Sequence, residues 1–140
     1  MFLNNLNKIK QNLNHNYMII GIGTDIVKVA RIAKSIENTH FKERVFSAYE
    51  ITYCEKKTHK AESYAARFAA KEAFYKALGT GVREGMAFKE LEIQNDELGK
   101  PTIHVLGETA LVVATYNIKH AHVSLSHTDE MAIATVVLEG

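Results

Sequence analysis

The sequence holds one cysteine and one proline among its 140 residues, and its formal net charge is only +1. A single thiol, Cys54, can close no internal disulfide and build no cysteine metal cluster. The balance of 17 basic against 16 acidic residues argues against a dedicated nucleic-acid binder, though it leaves room for local basic patches. No apolar run approaches the ~20 residues that span a membrane, and the N-terminus lacks the continuous hydrophobic segment of a secretory signal. Residues 18–140 contain no internal repeat and no low-complexity linker. These absences favour the cytoplasm and a single unit. With 46% hydrophobic and 24% charged residues, that unit can build one real core.

What is there is organised around Arg67-Phe68-Ala69-Ala70-Lys71-Glu72-Ala73-Phe74-Tyr75-Lys76-Ala77-Leu78-Gly79-Thr80-Gly81. Residues 63–78 are rich in Ala, Lys, Glu and Leu and include neither Gly nor Pro, which predicts a long helix. Ser63 suits its N-cap and Gly79 its left-handed end. At roughly 100° per residue, Tyr64, Phe68, Tyr75 and Leu78 share a broad face that fills a core, while Ala66, Ala69, Ala70, Ala73 and Ala77 share one that admits another backbone very close. Glu72 and Lys76, four apart, stack along the seam between these faces. On an exposed helix such a pair contributes only a few tenths of a kcal/mol. A seam apolar on both sides is expected to be mostly buried, and buried charges need partners such as a metal or a phosphate.

The rest of the chain is read by what it brings to that pair. Residues 1–17 carry six asparagines and read as an N-terminal extension, with Met18 the biological start. A basic amphipathic partner helix through Leu6, Ile9 and Leu13 is the alternative there. Residues 18–27 form an apolar strand that delivers Asp25 at its end. Gly21 and Gly23 suggest close backbone approach or a bulge, and Ile26 stands where a dinucleotide fingerprint needs its third glycine. Residues 30–39 predict a short helix with Lys28, Arg31 and Lys34 on its basic side. Ser47 caps a second helix that runs through Cys54 into Lys56, Lys57, His59 and Lys60. Residues 91–94 and 102–106 alternate as a hairpin, 108–117 as a helix, and 120–127 and 131–139 as two further strands. The order predicts an α+β domain, residues 18–140, with a largely antiparallel sheet packed against the long central helix. Ser126, His127 and Asp129 do not make a hydrolase triad, because neighbours on a strand point to opposite faces.

Two carboxylates on different elements, Asp25 and Glu72, with Lys76 one turn on, are the minimal kit for phosphate chemistry with Mg²⁺. Gly21-Ile22-Gly23-Thr24-Asp25-Ile26-Val27, Arg31-Ile32, the central stretch through Gly81, Gly99-Lys100-Pro101 and Val123-Ser124-Leu125-Ser126-His127-Thr128 follow one another as in a known family. In these segments the chain resembles the holo-[acyl-carrier-protein] synthases, the small bacterial branch of the phosphopantetheinyl transferases. The resemblance implies the 4'-phosphopantetheinyl transferase-like fold. It also implies transfer of 4'-phosphopantetheine from coenzyme A to a serine of apo acyl carrier protein, releasing adenosine 3',5'-bisphosphate, in support of fatty acid biosynthesis. Asp25 and Glu72 would hold Mg²⁺ on the pyrophosphate, and Lys76 would stabilise charge growing as the bond breaks. Gly79, Thr80 and Gly81 would let backbone approach the nucleotide, with His127 and Arg67 at its phosphate or adenosine end. Either Glu72 or a metal-bound water would take the serine proton. Arg31, Lys28 and Lys34 would dock the acidic carrier protein. Small family members are homotrimers with active sites at subunit junctions, and the alanine face of the central helix is the sequence feature that would suit such contacts.

Two other readings use the same residues. A Mg²⁺-dependent nucleotide phosphohydrolase would use water as nucleophile and cleave coenzyme A without a carrier protein. A carrier-protein-binding subunit would need only the basic helices and would not miss Glu72.

Overall fold

The computed structural model describes residues 17–140, and the extension expected over residues 1–17 lies, Tyr17 apart, outside them. Strand β1 (Ile19–Lys28) leads directly into helix α1 (Val29–Ser35). Then come α2 (Thr39–Val45), α3 (Ala48–Glu55) and the long α4 (Lys60–Leu78). A hairpin of β2 (Leu91–Asn95) and β3 (Pro101–Val105) follows, then α5 (Gly107–Ala114), β4 (His120–His127) and β5 (Met131–Glu139). The chain is α+β, with an antiparallel three-stranded sheet in the order β1-β5-β4 packed on α4 and a separate antiparallel pair, β2-β3.

The expected alanine face of α4 exists, and β1 fills it. A Cβ added to Gly23 would lie 2.0 Å from the carbonyl oxygen of Ala73, and one added to Gly21 would lie 2.0 Å from that of Ala77. Only glycine on the strand and alanine on the helix allow two backbones this close. The face read as suited to subunit contacts is thus occupied from within the chain. Around the rest of α4, Tyr64, Phe74 and Tyr75 are buried, with Tyr64 edge-on to Phe46 and Tyr75 edge-on to Phe88.

Strand alternation sends Gly23, Asp25 and Val27 of β1 towards α4 in register with Val136, Ala134 and Ala132 of β5. The other face of the same sheet carries Ile22 and Ile26, 62% and 60% exposed, with Ile133 beside them.

Three local expectations need correction. α4 starts at Lys60 rather than at Ser63, and His59 at its N-cap makes no side-chain capping bond. Ser63 lies inside the helix, where its carbonyl accepts from Arg67 Nη1 at 3.4 Å. Lys60, Ala61 and Glu62 are good or neutral helix formers, so the helix extends through them past the polar residue that resembled a cap. The single helix expected over residues 30–39 is two, because Asn38 stops the first and caps the second by accepting from Phe41 N at 3.1 Å. Helix α3 ends at Glu55, before the basic run it was expected to include. Its start is as expected, capped by Ser47, and the structure adds Glu50 to that cap as a reciprocal capping box.

Candidate active site

Asp25 reaches the site because β1 runs on to Lys28 and alternation turns the carboxylate to α4. Glu72 and Lys76 reach it from α4, one turn apart. Lys76 Nζ donates to Asp25 Oδ1 at 2.8 Å and to the carbonyl of Thr24 at 3.1 Å, so the base is pinned to the strand. Glu72 is half-buried beside them. Burial first, and then the Asp25 carboxylate, push its proton affinity above the ordinary glutamate range, while Lys76 and Arg31 pull the other way. The seam is less enclosed than its sequence suggests: the Lys76 side chain is 53% exposed, against 15% for Asp25.

The chain turns sharply just beyond. Gly79 ends α4 in the left-handed region at φ 76°, donating to the carbonyl of Lys76, and Gly81 is left-handed too at φ 64°. Glu72 also lines a cleft of about 360 Å³, together with the apolar side chains of Phe41, Val45, Phe68, Met86 and Phe88 and with Arg44. Arg31 stands over the Phe68 ring, 5.9 Å from its centroid. Lys28, Arg31 and Lys34 are all exposed along α1.

Arg67 and His127 are elsewhere. Arg67 is buried at 3% exposure, its guanidinium 4.1 Å over the Tyr53 ring and donating to Asn95 Oδ1, with Nε buried and unpaired. Lys57 covers Tyr53 as well, 4.4 Å from its centroid. His127 ends β4, with Nδ1 3.2 Å from Glu62 Oε2 in the first turn of α4. Glu62 and Glu72 are ten residues apart on one helix, about 15 Å along its axis. The chain therefore brings Asp25, Glu72, Lys76 and the glycine turn together and holds His127 and Arg67 apart from them.

A second buried constellation underpins the site. Lys71 and Glu50 form an ion pair of 2.8 Å with both side chains fully buried. Lys71 also donates to the carbonyls of Phe88 and Leu91, and Glu50 accepts from the N–H groups of Ser47 and Ile93. Burial lowers the proton affinity of Lys71, with Glu50 opposing. Every charge here is used in joining α3, α4 and β2, so the role is architectural.

The donor set of Asp25 and Glu72 fits a hard cation. The Asp25 carboxylate is close enough to disfavour charge on Glu72, and neither imidazole nor thiol accompanies the pair. Among the described residues no three His, Cys, Asp or Glu groups converge on a metal position. Mg²⁺ needs no such cage, since it keeps waters and takes phosphate oxygens beside one or two carboxylates.

A family model described as the 4'-phosphopantetheinyl transferase superfamily matches residues 21–136. The holo-[acyl-carrier-protein] synthase of Geobacter metallireducens is 47% identical over 124 residues, covering 87% of this chain and 98% of the relative. That of Cytophaga hutchinsonii is 48% identical over 123 residues, covering 86% and 97%. Among solved structures, the Neisseria meningitidis holo-[acyl-carrier-protein] synthase superposes with a TM-score of 0.81 at 34% identity, over 88% of this chain and 100% of the other. The Bacillus anthracis synthase, in complex with coenzyme A (3',5'-ADP), gives 0.73 at 38% identity, over 88% and 98%.

Proposed function

The chain belongs to the 4'-phosphopantetheinyl transferase superfamily and, within it, to the holo-[acyl-carrier-protein] synthases, and from this we propose how its own residues carry the reaction. The enzyme transfers 4'-phosphopantetheine from coenzyme A to a serine of apo acyl carrier protein, a step that fatty acid biosynthesis requires. The serine oxygen bonds to the β-phosphorus of coenzyme A as its proton passes to Glu72 or to water, the bond to the leaving phosphate breaks, and adenosine 3',5'-bisphosphate departs with the electron pair. The observation that carries the assignment is the convergence of Asp25, Glu72 and Lys76 from two elements.

Asp25 and Glu72 would hold Mg²⁺. When bound, it neutralises pyrophosphate oxygens and so favours departure of the leaving group. Lys76, anchored on Asp25 and the Thr24 carbonyl, presents its charge where the departing phosphate becomes more negative. The left-handed turn from Gly79 to Gly81 leaves backbone open to the nucleotide, since a Cβ at either glycine would meet nothing within 4 Å. The apolar cleft beside Glu72 suits the pantetheine arm. Lys28, Arg31 and Lys34 form the docking face for the acidic carrier protein.

His127 and Arg67 take the phosphate or adenosine end in an assembly of three copies. Two observations support a shared site: the separation of His127 from Glu72 along α4, and the exposed isoleucines on the outer face of the sheet. The number three follows from the resemblance to small trimeric transferases. The unpaired Nε of Arg67 is the kind of buried donor that a phosphate oxygen would satisfy. No helix among the described residues is long and apolar enough to cross a membrane. The cytoplasm suits the buried thiol of Cys54, whose pKa burial pushes up to about 12.

Release of adenosine 3',5'-bisphosphate from coenzyme A, followed chromatographically with and without apo carrier protein, tests this reading. Release only with the carrier supports transfer, and equal release without it would establish hydrolysis instead.

A further inference from the structure

Glu62 sits in the first turn of α4, where an acid complements the helix dipole and needs no further role. This one turns towards the sheet. Its Oε2 lies 3.2 Å from His127 Nδ1, and its side chain is 19% exposed against 43% for the histidine. Strand alternation explains why the ring is there: His127 faces α4 in register with Ala132, whereas Ser126 points outward beside Ile133. The neighbouring cations do not compete for Glu62. Lys60 is paired with Glu55, and Arg67 lies over Tyr53.

We propose that Glu62 is a positioning residue for coenzyme A: it holds the His127 imidazole by Nδ1 and so presents Nε2 to a phosphate oxygen. This rests on the reading of His127 as a phosphate contact. An acid at one ring nitrogen fixes both the orientation of the ring and the nitrogen that carries the hydrogen. A phosphate oxygen needs a donor, and an imidazolium donates from both nitrogens, one to Glu62 and the other to the ligand. Without Glu62 the exposed half of the ring is free to turn about χ1 and χ2, and binding must then order it.

The test is a double-mutant cycle read in KM for coenzyme A at saturating apo carrier protein, on the full chain with Mg²⁺. Glu62→Ala is expected to raise KM about tenfold, as loss of an outer-shell partner does, with kcat moving less. Glu62→Gln, whose amide oxygen still accepts from Nδ1, recovers most of the affinity. The Glu62→Ala/His127→Ala double variant binds no worse than His127→Ala alone, because the acid acts only through the ring. If His127→Ala raises KM but Glu62→Ala does not, or if the two effects simply add, Glu62 is not positioning His127. If His127→Ala leaves KM unchanged, the phosphate-contact reading of His127 is itself wrong, and the proposal falls with it.

Discussion

Gly23→Ala perturbs the close approach of β1 to the α4 backbone and, two residues on, the position of Asp25. The added Cβ would stand 2.0 Å from Ala73 O and 2.6 Å from Ala77 N. Both are helix backbone atoms, so no rotamer change can clear them. β1 must move off α4 by about 1 Å or the helix must deform, and overpacking of this kind costs up to ~3 kcal/mol. For a domain of this size that is a fall in Tm of about 10 °C. The same displacement pulls Asp25 from Lys76, whose contact is now 2.8 Å. Misplacement by about 1 Å can cost on the order of 100-fold in rate. Gly99→Ala, in the turn between β2 and β3, is the control: its Cβ meets nothing, and only the φ of 87° opposes it, at about 1 kcal/mol. Thermal melts by circular dichroism and turnover measured well below Tm provide the comparison. A Gly23→Ala variant with unchanged Tm and turnover would refute the claim that this contact sets the site.

Other expectations are open to equally direct measurement. Lys71→Met leaves Glu50 charged and unpaired in the core, which should cost about 3–5 kcal/mol in urea unfolding. Adding Glu50→Gln should then cost less than the two single changes summed, and full additivity would deny the pair. Burial and Asp25 raise the proton affinity of Glu72, so its ionised form opposes folding above the unfolded pKa, and that penalty fades as pH falls through the folded value. In chelator at pH 7, Glu72→Gln should therefore melt no lower than the parent, and with Mg²⁺ supplied it should lack the parent's activity; a clearly lower Tm would contradict the reading of this residue as placed for chemistry. If His127 serves a neighbouring copy, mixing Asp25→Ala and His127→Ala chains after unfolding and refolding together should rebuild about a quarter of the sites. No recovery on mixing would place each site within one chain.

Much of this arrangement is written locally. Composition specifies α4, the Ser47 and Glu50 spacing specifies a capping box, and alternation specifies β4 and β5. Gly21 and Gly23 against Ala73 and Ala77 are legible as close-packing residues on each element, and the fold joins them. What stays hidden depends on partners far apart in the chain. Lys71 looks like any helix lysine until Glu50 is placed 21 residues earlier beside it. Its one local hint is that helical spacing places it on the same face as Tyr64, Phe68, Tyr75 and Leu78. Glu62 and His127 meet only because β4 returns along α4. The false cap at Ser63 shows the opposite failure, a local signal overridden by the good helix formers before it.

The most direct measurement is the intact mass of apo acyl carrier protein incubated with this protein, coenzyme A and Mg²⁺, beside a Glu72→Ala control of verified fold. The expected result is a gain of one phosphopantetheine that requires both the metal and Glu72. A gain that survives Glu72→Ala, or no gain while coenzyme A is consumed, would contradict it.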